Sequence, residues 1–281
     1  MTEPSSNYAS VSGIRFHYVD WGRPSGDPDR PTLFLLHGDM RTSRSWDAVA
    51  RHLCEQFHVI ALDSRGHGDS EWPDSGYSFA QRIDDLEAFA DFIQLRNVVA
   101  VAHSTGAVVA AMLSERRPDF FSKLMLLEPM VVVTEAFQRM VSQRAVRPRR
   151  TWANRDEMYD YLKKHPMTGK WRDDVIRDVV AHEAFELPNG RLDMKWANAS
   201  MDWKEREGDY HDIRPTLRTL GKPIQFIVSD SRADSFQDVA KIAEETADFS
   251  MLTIPESAHN MYMDQPKLVA DAVVRFVSSG C

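Results

Sequence analysis

The chain has 281 residues, of which 27% are charged and 43% apolar, and its net charge is −8 with histidine neutral. This is the composition of a soluble globular protein, and its acidic balance argues against nucleic acid or an anionic membrane as partner, because neither is steered toward a negative surface. No apolar run approaches the roughly 18 to 20 residues of a membrane helix, residues 1–10 show no secretory leader pattern, and two cysteines, Cys54 and Cys281, make no disulfide framework.

A cytoplasmic chain of one or two domains, long enough to bury a core, is therefore expected, and the elements follow in chain order. Residues 8–22 alternate apolar and polar around Ser12-Gly13, which predicts a hairpin. The Pro, Gly and Asp-rich residues 23–31 form a loop. Apolar runs at 32–36, 57–62, 97–102 and 123–127 then alternate with helical spacing at 45–53, 79–95 and 107–113. Strands apolar on both faces, separated by helices, predict a mostly parallel sheet covered on both sides, the α/β class.

The alternation stops at Met130. Apart from a short run at 131–133, residues 130–211 carry no strand signal and read as helices, for example at 156–164 and 173–184. It resumes with a strand at 224–228, a helix at 236–247, a strand at 249–254 and a helix at 265–278. Residues 1–129 and 212–281 are thus expected to form the core, and 130–211 a helical cap over the ligand crevice at the strands' carboxyl ends. Fifteen Lys and Arg against fourteen Asp and Glu make this insertion nearly neutral, and it holds four of the seven tryptophans.

Gly66 and Gly68 lack the third glycine of a dinucleotide loop, since Glu71 stands in its place, and no Cys/His cluster has zinc spacing. No cofactor or metal is implied. The chemistry centres on Ala102-His103-Ser104-Thr105-Gly106, between an apolar strand and a helix. A serine hydroxyl is a weak nucleophile and must be held out of the sheet beside a base. A sharp strand-to-helix turn does this, and it requires small residues two before and two after the serine. The helix start also aims the Thr105 N–H at a developing oxyanion. A second donor is expected from the loop Leu36-His37-Gly38-Asp39-Met40, at the N–H of Asp39. His259, on the loop after the last strand, stands where the base of such an architecture falls. Met40, His103, Trp152, Trp171, Trp196 and Trp203 are the expected substrate contacts.

The strings LLHGDM, DSRGHGDS, VAHSTGA and SAHNMYMDQP resemble the α/β-hydrolase fold superfamily, of the capped esterase and lactonase type. The resemblance implies Ser104 as nucleophile, His259 as base, and the N–H groups of Asp39 and Thr105 as oxyanion donors. Serine in place of aspartate at 104 argues against the dehalogenase and epoxide hydrolase branches. The acid departs from the usual pattern, which is G-x-x-D after the strand at 224–228: here Ser229 replaces the glycine and Arg232 the acid. Three carboxylates compete. Glu128 emerges from the preceding strand's carboxyl end ahead of Pro129 and is preferred, with Asp234 and then Asp230 as alternatives. If Glu128 is the acid, its carboxylate should lie within ~3.2 Å of His259 Nδ1.

The expected reaction is hydrolysis of a carboxylic ester or lactone of a medium-sized apolar or aromatic small molecule, by a monomer or homodimer. A cofactor-free dioxygenase acting on a heteroaromatic ring and a ligand-binding receptor are the alternatives on the same fold.

Overall fold

The computed structural model describes residues 3–24, 30–139, 148–202 and 209–279. Within them, β1 (Ser5–Val11), β2 (Ile14–Asp20), β3 (Thr32–Leu36), β4 (His58–Leu62), β5 (Val98–His103), β6 (Phe121–Leu127), β11 (Ile224–Ser229) and β12 (Phe249–Ile254) form an eight-stranded sheet in the order β1-β2-β4-β3-β5-β6-β11-β12. The first two strands are the expected hairpin, and β2 meets β4 antiparallel; every pairing beyond that is parallel. No described helix is long and apolar enough to cross a membrane.

The sequence dictates the two covered faces directly. Alternate residues of one strand point to opposite sides, so Phe34, Ala100, Ala102, Leu126 and Val228 enter one apolar layer, and Leu33, Leu35, Val101, Leu127 and Ile227 the other. The first layer is roofed by α2 (Phe79–Phe92), α3 (Thr105–Arg116), α6 (Arg214–Thr219) and α7 (Gln237–Glu245). The second is roofed by α1 (Asp47–Leu53) and α9 (Pro266–Ser278).

The insertion between β6 and α6 differs from its expectation of helices alone. It holds α4 (Arg155–Lys164) and α5 (Asp173–His182), but also two short antiparallel pairs. In one, β7 (Val132–Val133) pairs with β10 (His211–Asp212), tying the insertion's entry to its exit. In the other, β8 (Ala184–Glu186) pairs with β9 (Leu192–Met194). Strands of two or three residues are too short to display a period of two, so the sequence pattern could not reveal them. The helix expected over 173–184 therefore ends at His182, and Ala184 opens a strand. Met158, Leu162, Val175, Ile176 and Val179 join the second apolar layer, so the insertion is anchored on the sheet's α1 side.

Candidate active site

The carboxyl ends of β3, β5, β6 and β12 converge on one corner, and Ser104 occupies its centre. Ser104 caps α3 with φ 52° and ψ −119°, a conformation costing a non-glycine residue about 1–3 kcal/mol. Surrounding contacts hold it there: its N–H donates to Leu127 O at 2.9 Å, and its carbonyl accepts the N–H of Ala107 at 3.1 Å. Close packing explains the small residues of the motif. A Cβ on Gly106 would lie 2.5 Å from the carbonyl oxygen of His37, and one on Gly38 would lie 2.7 Å from Ser104 Cβ. The loop after β3 is thereby pressed against the serine. It carries Asp39, whose carboxylate accepts Arg82 Nη1 from α2 at 2.8 Å, and Met40, which is exposed at the rim. Thr105, the other expected donor, is the first residue of α3.

His259 sits between β12 and α8 (Met261–Asp264). Its Nε2 is 3.3 Å from Ser104 Oγ, and its Nδ1 is 2.8 Å from Glu128 Oε2. Three side chains hold the loop that presents it. Asp230 accepts the N–H groups of Glu256 and Ser257 at 2.8 and 3.0 Å. Asp264 accepts that of Ala258 at 2.8 Å. His103 Nε2 donates to His259 O at 2.8 Å. His103 is itself 1% exposed, and burial, helped by the nearby His259, pushes its pKa well below the ordinary range, so it is a neutral prop under the His259 backbone. It does not face a substrate as the sequence suggested. His37 is another neutral prop: burial lowers it, and its Nε2 accepts the Ser64 N–H at 3.0 Å.

Glu128 stands at the end of β6 with φ 41° and is 1% exposed. Burial alone would raise its carboxyl, but His259, the N–H and Oγ of Ser229 at 2.8 and 2.6 Å, and the Arg232 guanidinium outweigh it and hold the group below its ordinary value. The two alternative acids lie elsewhere. Asp230 serves the 256–257 backbone, and Asp234 is exposed without a hydrogen bond among the described residues.

The tryptophans divide. Trp152 and Trp171 are buried at 4% and 2% exposure in the apolar layer shared with the insertion, which makes them core residues and not the substrate contacts expected. Trp196 is half-buried under the Arg149 guanidinium, and Trp203 lies outside the described residues. One participant was missed altogether. Arg232 Nη1 lies 2.8 Å from both Glu128 Oε2 and His259 Nδ1. Its signal was present in the sequence as a cation at the acid's usual place, together with a hydroxyl at 229.

The chain matches the alpha/beta hydrolase family over residues 33–272. It is 23% identical over 256 residues to the 2-(acetamidomethylene)succinate hydrolase of Mesorhizobium japonicum, covering 89% of this chain and 88% of that one. It is 35% identical over 129 residues to a bifunctional esterase/perhydrolase of Acinetobacter calcoaceticus, covering 44% of this chain and 45% of the relative. Its fold superposes on the crystal structure of E-2-(acetamidomethylene)succinate hydrolase with a TM-score of 0.82, 21% identity, and 99% and 100% of the two chains covered.

Proposed function

Because this chain belongs to the alpha/beta hydrolase family, we propose that it is a serine hydrolase cleaving a carboxylic ester or lactone through an acyl-enzyme. One observation carries the reading: a continuous path from Ser104 Oγ to His259 Nε2 at 3.3 Å and from His259 Nδ1 to Glu128 Oε2 at 2.8 Å. Such a path gives a weak nucleophile its base, and the base its tautomer.

Ser104 Oγ attacks the carbonyl carbon while His259 Nε2 takes its proton. The electron pair of the C=O bond moves onto oxygen, which the N–H groups of Asp39 and Thr105 receive. Collapse expels the alkoxide, His259 returns the proton to it, and the acyl group stays on Ser104. Water then repeats the sequence, His259 taking its proton and Ser104 leaving. Glu128 keeps Nδ1–H oriented and offsets the charge of the imidazolium in both halves. Residues 130–211 act as the cap that selects the substrate. The relatives support hydrolysis by name, one as an esterase/perhydrolase.

Ser104→Ala tests this. The variant should fold normally, lose roughly 10⁴-fold or more in kcat on short-chain p-nitrophenyl esters, and resist the fluorophosphonate that labels the wild type. Retention of more than a tenth of the activity overturns the reading. So does hydrolysis that stops when oxygen is removed, which would favour an oxygenase.

A further inference from the structure

Arg232 creates a conflict that the catalytic scheme leaves unresolved. His259 Nδ1 lies 2.8 Å from a carboxylate oxygen on Glu128 and 2.8 Å from a guanidinium nitrogen on Arg232. One ring nitrogen either donates or accepts. If Nδ1–H donates to Glu128, Nε2 is free to take the serine proton. If Nδ1 instead accepts from Arg232, the proton sits on Nε2 and the base faces Ser104 in the wrong tautomer. The resting contact therefore competes with the reactive arrangement.

The guanidinium is not locked there. Its side chain is 42% exposed, while the Glu128 side chain is fully buried. Nη1 makes both polar contacts, and among the described residues Nε and Nη2 make no hydrogen bond. That leaves a fork of two donors without a hydrogen bond on a partly exposed side chain, whose guanidinium lies 5.6 Å from the Phe236 ring centroid, beside a histidine that is itself 32% exposed. Such a fork matches a carboxylate in shape and charge.

We propose that Arg232 binds a carboxylate of the substrate, so that the enzyme acts on monoesters or lactones of carboxylic acids bearing a second carboxylate. Binding draws the guanidinium toward the substrate and frees His259 Nδ1 for Glu128. The site lies one imidazole ring and two short contacts from Ser104 Oγ, which suits a carboxylate a few bonds from the scissile carbonyl.

The proposal rests on the serine hydrolase reading, and the test separates the two. The kcat/KM values of p-nitrophenyl valerate and of mono-p-nitrophenyl glutarate are compared in the wild type, Arg232→Met and Arg232→Lys. The wild type should prefer the carboxylate ester by about tenfold or more, the size expected of a charged hydrogen bond. Arg232→Met should abolish that preference and Arg232→Lys restore part of it. Calorimetry with Ser104→Ala as host should show monomethyl glutarate binding that disappears when Arg232→Met is added. A wild-type ratio near one, or a ratio unchanged in Arg232→Met, overturns the proposal while leaving the hydrolase standing. Failure of fluorophosphonate to label Ser104 overturns the hydrolase reading and the proposal with it.

Discussion

Two corners of this molecule bury carboxylates equally deeply and treat them in opposite ways. At the end of β6, Glu128 is 1% exposed and held below its ordinary pKa. At the seam between the insertion and the core, Asp47 is 1% and Glu183 0% exposed, and both are raised. The difference lies in the partners. Glu128 receives hydrogen bonds from Ser229, His259 and Arg232 on its two oxygens. Glu183 has Ser45 Oγ at 2.6 Å and Arg41 Nη1 at 3.3 Å, and Asp47 has the Arg44 guanidinium at 2.7 Å and no hydrogen bond among the described residues, with Arg51 lowering it from farther off and Asp178 and Glu183 adding like charge. Burial disfavours the ion everywhere, and the count and quality of donors decide whether it wins. A carboxylate held below its ordinary pKa can stabilise an imidazolium, whereas the raised pair at the seam ties the insertion to the core.

The largest expected effect breaks the comparison at its charged end. Glu128→Gln preserves shape but removes the charge and one acceptor, so kcat should fall on the order of 10⁴-fold with the fold intact. Asp230→Asn and Asp234→Asn should each lose less than roughly tenfold, since neither carboxylate approaches His259. Steady-state kinetics with circular dichroism on all three variants decides it. If Asp234→Asn were the crippled one, the acid would have been misassigned.

The same contrast explains what the sequence could reveal. The sheet was legible because β3, β5 and β6 are short apolar runs broken by helical spacing, and the turn at Ala102–Gly106 needs small residues that stand out. Glu128 was legible because a lone carboxylate ending an apolar strand requires a reason. Arg232 was visible only as a missing acid, since a cation beside the proposed triad has no sequence rule behind it. The seam was opaque: Glu183 meets Ser45 across 138 positions, and no local pattern encodes a pairing that distant. The tryptophans misled for a related reason. Composition says an insertion is aromatic without saying whether its rings face a pocket or, as Trp152 and Trp171 do, its own core.

Breaking the seam should therefore cost stability before it costs chemistry. Glu183→Ala leaves Ser45 without its acceptor and Arg41, 12% exposed, without its counter-charge. Removing one member of such a pair typically costs about 3 kcal/mol or more, which urea unfolding would read as a lower midpoint at unchanged slope. Because Arg41 follows the Asp39 loop, kcat should also fall, but by far less than in Glu128→Gln. An unchanged midpoint would mean that the insertion does not depend on this contact.

The smallest effect sharpens the comparison through its sign. Burial pushes Asp47 up to about 7, far above its unfolded value of 3.8. Between those two values the folded protein holds the proton and the unfolded chain does not, so unfolding releases a proton and stability declines as pH rises through this window. Glu128 behaves oppositely. Its folded pKa lies below its unfolded one, so its contribution is complete above the ordinary carboxylate range and is lost only in stronger acid. Asp47→Asn removes the first dependence and leaves the second. Between pH 5 and 8 the wild-type Tm should therefore drop relative to that of Asp47→Asn by a few degrees, about what 1–2 kcal/mol produces in a chain of this size. The gap should be smallest at the acid end, closing only near the unfolded value of 3.8 where both states hold the proton, and it should stop widening above about pH 7. Parallel curves across the whole range would show that Arg44 keeps Asp47 ionised after all, and that the two corners handle their carboxylates alike.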